Sequence, residues 1–387
     1  MNAAANPVLD REASRGHDLR ALNDSGAEQD GNGGLDLKKV ISYVGAFYFL
    51  IMTVLVVPFA CLASVAAISV LIFINIKWYN TIEHWLCTMV NRHWAACASY
   101  CGMTIREYGD DLKHLSEKRC LLLANHLGLV DHFTLMLSLN NKGSVPGRWL
   151  WIIYNIWKWT PLGVMWTLHG NFFINGGASQ RDTVLAQLKR QISSYFHKYD
   201  LTWIVMYPEG SRLYLIEESN KRFAERNNLT PLKNCAFPRT GAAHAVLSVL
   251  GPQEGSPDQS RCGNGPPIEY IIDATIGYKK GLVPELKNAI VGDWPMPGSH
   301  RIHIHWQAIP VRPEWGYNEE ALKNFLYDRY EKKDRMLKDF YQNDKFEGEY
   351  RTEAITWQAM IFSQVFWVVL FYIHFLLIIR PIYYLFY

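Results

Sequence analysis

The sequence lacks the features that mark nucleic-acid-binding proteins and disulfide-rich or zinc-ribbon domains. Its 39 basic and 36 acidic side chains give a net charge of only +3, and no arginine-rich run occurs in the 387 residues, so we expect no nucleic-acid partner. The seven cysteines are odd in number and include no CxxC pair, which argues against a disulfide framework or a zinc ribbon. Free cysteines are typical of reducing compartments, and we expect the active part of the chain to face one.

Charged residues are also scarce, at 19% of the sequence against about 25% in ordinary soluble domains. Aromatic residues make up 14%. Two long stretches, residues 40–76 and 354–379, contain no Asp, Glu, Lys or Arg. About 20 apolar residues suffice to cross a bilayer. We therefore predict a transmembrane or re-entrant segment over 38–77, kinked at Pro58, and a C-terminal transmembrane helix over 354–379. A lipid bilayer is thus an expected partner.

The remaining boundaries follow from composition and periodicity. Residues 1–37 are rich in Gly, Asn, Asp and Ala and lack periodic apolar positions, which is typical of a disordered tail. Residues 78–115 indicate an amphipathic helical, membrane-proximal region, and 116–350 a globular domain. In that domain, helical periodicity at 183–199 lies among apolar runs that predict strands at 119–126, 202–210, 268–278 and 301–311. Strands that alternate with helices predict an α/β fold, and the Gly/Pro-rich segment 251–267 is predicted as a loop.

Tryptophan is concentrated in WLWIIYNIWKWTPLGVMWTLHG, residues 149–170. Such a stretch can form core helices. Tryptophan also favours membrane–water boundaries, and its density here favours partial contact with lipid or with an acyl chain.

A polar pair ends the first predicted strand, since Asn125 and His126 follow the run LLLA, and Asp131 comes five residues after the histidine. Ligands of open α/β sheets bind beyond the carboxyl ends of strands. Histidine exchanges protons near neutral pH, and an acid within reach can orient its ring. A solvated loop would also explain the pattern, but the position at a strand end favours a catalytic pair, with His132 as a structural neighbour.

The sequence YPEGSR ends a second predicted strand, so its polar residues should lie at the same sheet edge as His126; they are Glu209, Gly210, Ser211 and Arg212. Glycine lets the backbone approach a ligand closely. Arginine offers a planar fork of donors for a phosphate. FPRTGAA adds Arg239. By contrast, His303 and His305 share a strand face without further zinc-like ligands, and we expect no metal site.

Taken together, these residues resemble the glycerolipid, or PlsC-type, acyltransferase superfamily. Its NHxxxxD motif matches Asn125, His126 and Asp131, and its EGTR-type motif matches residues 209–212, with Ser211 in place of threonine. Its third block, PxxG…G…FIxR, matches Pro161, Gly170, Phe173 and Ile174, but Asn175 stands where that block carries arginine. The stretches 171–182, 227–242 and 271–281 are similar to the acyl-CoA:lysophosphatidylglycerol acyltransferase branch, and the resemblance covers about residues 110–345.

The resemblance implies a PlsC-type domain, a mixed sheet flanked by helices, between N-terminal and C-terminal transmembrane segments. It implies acyl transfer from acyl-CoA, as co-substrate and without a cofactor, to a lysophospholipid hydroxyl. His126 would be the general base and Asp131 its orienting acid. The implied substrate-binding residues are Asn125, Glu209, Gly210, Ser211, Arg212, Arg239 and Arg181. The implied location is the endoplasmic reticulum membrane, with the active site facing the cytosol.

Asn175 leaves the acceptor open. Arg181 or Arg239 could substitute for the missing arginine, and glycerol 3-phosphate or monoacylglycerol remains an alternative acceptor. A non-catalytic lipid-binding membrane scaffold is the alternative from a different functional class, although an intact His126–Asp131 pair argues against it.

Overall fold

The computed structural model describes residues 37–174 and 180–386. The predicted tail, apart from Leu37, and Asn175 lie outside the described residues. Within these ranges an eight-stranded mixed sheet forms the centre, and a two-stranded hairpin lies in the segment that we predicted as a loop. The strands are β1 (Thr104–Gly109), β2 (Cys120–Ala124), β3 (Trp149–Tyr154), β4 (Phe172–Ile174), β5 (Trp203–Met206), β6 (Pro252–Gln253), β7 (Ser256–Ser260), β8 (Tyr270–Gly277), β9 (Arg301–Pro310) and β10 (Arg351–Glu353).

The strand order is β10-β1-β9-β8-β2-β5-β3-β4, which puts β2 at the centre between β8 and β5. The pairs β2–β8, β2–β5, β3–β5 and β3–β4 are parallel, as is β1–β9, whereas β8–β9 and β1–β10 are antiparallel. Every residue of β2 and β5 is buried, as expected of parallel strands covered on both faces. The carboxyl ends of β2, β3, β5 and β8 therefore meet at one edge. The four predicted strands and the mixed α/β fold are confirmed.

Three strands correct the predicted boundaries. β1 lies in the region 78–115 that we predicted to be helical, β10 lies beyond residue 350, and β3 lies in the tryptophan-rich stretch. The edge strand β10 and its neighbour β1 are held by a distant partner: Lys142, which is fully buried, places Nζ 2.7 Å from Glu107 and 3.0 Å from Glu353. Local periodicity does not record such contacts, so composition alone misassigned these segments.

Helices cover both faces of the sheet. They are α1 (Leu37–Ile51), α2 (Val57–Ile68), α3 (Leu71–Ile74), α4 (Ile76–Cys101), α5 (Val130–Leu139), α6 (Pro161–Leu168), α7 (Arg181–Tyr195), α8 (Leu213–Arg226), α9 (Thr240–Leu250), α10 (Leu286–Ile290), α11 (Glu319–Asn343), α12 (Trp357–His374) and α13 (Arg380–Phe386). One core joins α2, α4 and α5 to one face, and a second joins α7, α9 and α11 to the other.

Within residues 37–174 and 180–386, two helices are long and apolar enough to cross a membrane by length and composition, Lys39–Ile74 and Trp357–Leu385. The first is one helix through α1 to α3, interrupted by a π-helical segment at Met52–Val56 immediately before Pro58. Proline lacks an N–H and clashes with the preceding turn, which explains this irregularity. The stretch is thus one helix with a π-helical segment near its middle, and not a hairpin within 40–76.

The return limb of a hairpin is instead α4. Asn75 begins it by accepting hydrogen bonds from the N–H groups of Lys77 (3.0 Å) and Trp78 (3.4 Å), as an N-cap does. Contacts of Ser42 with Tyr100 and of Thr53 with His93 show that α4 runs antiparallel to the first helix. The C-terminal helix α12 packs on the same bundle, and His374 faces it, 2.9 Å from the Ser64 hydroxyl.

Candidate active site

His126 and Asp131 meet in the loop between β2 and α5. The Nδ1 atom of His126 lies 2.9 Å from Oδ2 of Asp131. Asp131 is fully buried, in the first turn of α5, where the helix dipole favours a negative charge. The same Oδ2 accepts the N–H groups of Leu127 (2.7 Å) and Gly128 (2.9 Å). The pair predicted from the sequence is therefore brought together by one tight local turn.

These bonds define the tautomer of the histidine. Because Oδ2 already accepts two backbone N–H groups as a carboxylate oxygen, Nδ1 of His126 is the donor in the pair. A neutral imidazole carries one N–H, so Nε2 holds the lone pair. Among the described residues no protein group bonds to Nε2, and the side chain retains 12% exposure. His126 is thus arranged as a base whose reactive nitrogen faces outward from the pair.

Tyr278, directly after β8, holds the other oxygen of Asp131. Its hydroxyl donates to Oδ1 over 2.6 Å. Burial, together with the Asp131 charge, raises the pKa of Tyr278 well above its ordinary value, so the hydroxyl stays protonated and donates. We did not predict this residue from the sequence. Tyr278 is the last residue of the predicted strand 268–278. That position points to the active site only once β8 is known to lie beside β2.

Glu209 supports the backbone of the catalytic loop. It is 1% exposed, and its two carboxyl oxygens accept the N–H groups of His126 and Ala236, each over 3.0 Å. Burial raises the pKa of Glu209 to about 8 despite these two bonds. Each oxygen accepts a backbone N–H, so Glu209 positions the His126 backbone; its contact with the substrate stays a prediction.

Asn125 joins two strands of the sheet. It is fully buried, and its side-chain amide bonds to both the N–H (2.7 Å) and the carbonyl (3.0 Å) of Ile276. This reciprocal pair joins the end of β2 to β8. Asn125 therefore holds the two strands that carry His126 and Tyr278, and its contact with the substrate stays a prediction.

The remaining predicted residues lie in two adjoining turns at the sheet edge. The turn after β5 puts Gly210 in a left-handed conformation (φ 75°). A Cβ there would lie 3.0 Å from the Arg239 side chain, so glycine permits this close approach. Ser211 is half-buried, and the chain then docks on the catalytic loop, since Leu213 N–H donates to the His126 carbonyl over 2.9 Å.

Three arginines border this edge. Arg212 is half-buried, with its guanidinium 5.2 Å from the ring centre of Tyr214, and Arg239 is exposed. The Arg181 side chain is 60% exposed and lies 3.6 Å from Glu319. A Cβ at Gly241, in the first turn of α9 and two residues from Arg239, would lie 3.0 Å from the Arg181 guanidinium, so Arg181 passes close to the start of that helix. All three remain predicted phosphate ligands.

Aromatic rings enclose His126. Tyr207 stacks on it with ring centres 4.2 Å apart, and His132 lies 5.6 Å away. His132 in turn stacks on Trp151 at 5.7 Å. Burial lowers the pKa of His132 to about 3, so this ring stays neutral, consistent with the predicted structural role. The rings keep the imidazole of His126 in one orientation.

A largely apolar cavity begins at these rings. His132 and Trp151 line it together with side chains from α2, α4 and α6, which include Cys61, Val65, Leu86, Val90 and Met165. It therefore extends from beside the catalytic pair toward the first apolar helix. A cavity of this composition suits a hydrocarbon chain.

His126 is a half-buried base with an orienting acid beside an apolar cavity. Three arginines, Arg181, Arg212 and Arg239, form a basic rim at the edge of the sheet. This arrangement fits an acyltransferase site. A family model described as "Acyltransferase" matches residues 105–262, and one described as "Acyltransferase C-terminus" matches residues 298–367. The chain belongs to the glycerolipid, PlsC-type acyltransferase family. It is an acyltransferase of lipid metabolism.

Known proteins with similar sequences carry related names. One relative is a Caenorhabditis elegans protein named provisionally as a 1-acyl-sn-glycerol-3-phosphate acyltransferase. It is 52% identical to this chain, over 90% of this chain and 89% of the nematode protein. The chain is 33% identical to the human acyl-CoA:lysophosphatidylglycerol acyltransferase 1, over 70% of this chain and 73% of that one. The structure of the Thermotoga maritima 1-acyl-sn-glycerophosphate acyltransferase PlsC matches with a TM-score of 0.42 and 10% identity, over 78% of this chain and 98% of that chain.

Proposed function

We propose that this protein transfers a fatty acyl group from acyl-CoA to a free hydroxyl of a lysophospholipid, with lysophosphatidylglycerol as the leading acceptor and without a metal or other cofactor. The observation that carries the proposal is the His126–Asp131 pair, whose geometry leaves the lone pair on Nε2. The base therefore has its reactive atom available at the edge of the sheet, next to the apolar cavity.

The chemistry requires a base because a hydroxyl is a poor nucleophile until its proton is removed. Nε2 of His126 takes this proton while the hydroxyl oxygen attacks the carbonyl carbon of the thioester. The C–S bond then breaks, the thiolate of CoA leaves with the electron pair, and the imidazolium returns the proton to it. Asp131, held by Tyr278 and two backbone N–H groups, stabilises the imidazolium between the two proton transfers.

The basic rim supports an acceptor that carries a phosphate. Arg181, Arg212 and Arg239 lie around the two turns at the sheet edge, and a guanidinium binds phosphate through two parallel hydrogen bonds. Monoacylglycerol carries no charge for these groups. We therefore favour a phosphate-bearing acceptor.

The relatives are named for two different phosphate-bearing acceptors. The human relative is named for lysophosphatidylglycerol, while the nematode relative, at higher identity, is named for 1-acyl-sn-glycerol 3-phosphate. Both acceptors present a glycerol hydroxyl near a phosphate, and the second is the alternative that a direct assay must separate from the first.

We further propose that the protein resides in the endoplasmic reticulum membrane with its active site facing the cytosol, where acyl-CoA is available. The two apolar helices support membrane association. Protease protection in sealed microsomes tests the orientation, because cleavage of the sheet domain without detergent is expected only if it faces the cytosol.

The activity test uses membranes that contain the full chain, radiolabelled oleoyl-CoA, and a panel of lysophospholipids, 1-acylglycerol 3-phosphate, glycerol 3-phosphate and monoacylglycerol. His126→Ala is the test variant, and His114→Ala, which changes an exposed histidine outside the site, is its matched control. We expect transfer to one acceptor class that His126→Ala abolishes and His114→Ala retains. Background activity with every acceptor in the wild-type protein would favour the lipid-binding scaffold instead.

A further inference from the structure

The loop between β3 and α6 exposes large apolar side chains. Tyr154, Ile156 and Trp159 are 55%, 70% and 85% exposed, and Lys158 lies among them. Large exposed apolar groups that cluster in one short segment indicate an interaction surface. We name residues 154–160 the aromatic loop.

The aromatic loop is held in place by its own contacts. Trp157 packs against the core, and the Thr160 hydroxyl donates to the Trp157 carbonyl over 2.7 Å and accepts the N–H of Gly163 over 3.1 Å. A Cβ at Gly163 would collide with the carbonyl oxygens of Trp157 and Lys158. These contacts stabilise a turn that leaves its apolar side chains outside.

Its position connects the active site with the first apolar helix. The loop leaves the carboxyl end of β3, which is the edge where His126 and the turn after β5 lie, because β2, β5 and β3 are parallel. On its other side, α6 packs against Met52–Val56 and Val57–Ile68, which belong to the helix long enough to cross a membrane. The aromatic loop is thus separated from the first apolar helix only by α6, which packs against that helix.

We propose that the aromatic loop inserts into the headgroup region of a lipid bilayer, as a membrane contact of the catalytic domain additional to the two apolar helices. Tyrosine and tryptophan favour that region, where one end of the ring is apolar and the other wet. The ammonium of Lys158 is attracted to anionic headgroups. A bilayer fits better than a protein partner because the loop adjoins, through α6, the helix that is long and apolar enough to cross a membrane.

The contact has a consequence for catalysis that rests on the proposed function. The loop would hold the catalytic edge at the membrane surface, where a lysophospholipid could pass from the bilayer to His126 without crossing water. A substrate dissolved in water would not need this contact.

The first experiment measures the contact without using activity. The full-length protein is reconstituted into phosphatidylcholine–phosphatidylglycerol vesicles with an environment-sensitive fluorophore on Trp159→Cys, after replacing the two partly exposed cysteines, Cys87 and Cys262, by alanine. The matched control is Tyr317→Cys, because Tyr317 is 54% exposed and follows the turn that packs on α9, on the opposite face.

We expect a blue-shifted emission at position 159 and quenching by lipid-attached quenchers, with neither effect at position 317. Equal water exposure at the two positions would overturn the proposal. A blue shift that appears only as the number of protein molecules per vesicle rises would also overturn it, because it would indicate contact between copies of the chain.

The second experiment measures delivery of the acceptor. The double variant Ile156→Glu with Trp159→Glu should raise KM at least tenfold for lysophospholipid presented in vesicles. It should leave kcat, and KM for a water-soluble short-chain lysophospholipid, unchanged, and Tyr317→Glu should change neither. Equal effects on both forms of the acceptor, or none, would refute delivery from the membrane. An inactive wild-type protein would refute the proposed function but leave the fluorescence result intact.

Discussion

The substitution Asp131→Asn tests the catalytic pair with little change of shape. The oxygen of asparagine can occupy the position of Oδ2, where it still accepts from Leu127, Gly128 and Nδ1 of His126. The amide nitrogen then faces the Tyr278 hydroxyl, which can rotate to accept a hydrogen bond. The imidazole therefore keeps its tautomer and orientation, and what is removed is the negative charge.

The size of the effect follows from the separation of the charges. The imidazolium and carboxylate charge centres lie about 4 Å apart, for which unit charges at an effective dielectric constant of about 20 interact by about 4 kcal/mol. If this stabilises only the transition state, its loss lowers kcat by about a thousandfold. Since Asp131 binds no substrate directly in this scheme, KM for acyl-CoA and for the acceptor should stay nearly unchanged.

The assay is initial-rate acyl transfer by purified full-length protein in mixed micelles, with thermal unfolding measured on the same samples. Asp131→Ala is the comparison. It leaves the Leu127 and Gly128 N–H groups without their acceptor, which costs about 1–3 kcal/mol for each group. Asp131→Ala should therefore lower the unfolding temperature, whereas Asp131→Asn should not. A kcat for Asp131→Asn above a tenth of the wild-type value, in a protein that unfolds normally, would refute the role given to the Asp131 charge.

Two further predictions concern Glu209 and the cavity. Burial raises the pKa of Glu209 from 4.5 to about 8 in the folded protein. The protonated side chain therefore stabilises the fold fully below pH 4.5, and this stabilisation is lost as the pH rises to 8. The free energy of unfolding should fall by up to about 5 kcal/mol over this range. The side chain of Glu209→Gln does not titrate, so the unfolding temperature of this variant in detergent should not show this decline with pH. An equal decline of the unfolding temperature with pH in both proteins would contradict the raised pKa of Glu209. In the cavity, Val65→Trp should lower kcat/KM for stearoyl-CoA about tenfold relative to lauroyl-CoA, since excluding two methylenes costs about 1.6 kcal/mol. Val65→Ala should not, and an unchanged chain preference in Val65→Trp would place the acyl chain elsewhere.

Much of the fold follows from local patterns. The runs at 119–126, 202–210, 268–278 and 301–311 each contain a strand in the structure, because short segments rich in apolar residues suit the buried positions of a sheet. β1, β3 and β10 were not predicted. Their assignment depends on neighbours such as β9 for β1 and β5 for β3, and tertiary pairing overrides what a short segment favours by itself.

The site divides in the same way. Sequence alone determined the pairing of His126 with Asp131, because five residues span one turn at the start of a helix and little of the chain beyond it is needed. It also determined the charge-free stretches and the arginine-bearing turns. Those features are properties of composition and of spacing over a few residues.

Only the tertiary structure decided which groups support the pair. Tyr278 reaches Asp131 across 147 positions of the sequence, and Glu209 reaches the His126 backbone across 83. Sequence reasoning predicted a substrate contact for Glu209 and did not predict its burial or its hydrogen bonds to two backbone N–H groups. The physical reason is that hydrogen-bond partners and burial depend on which strands lie side by side, and the order of strands in a sheet is set by the packing of the whole chain.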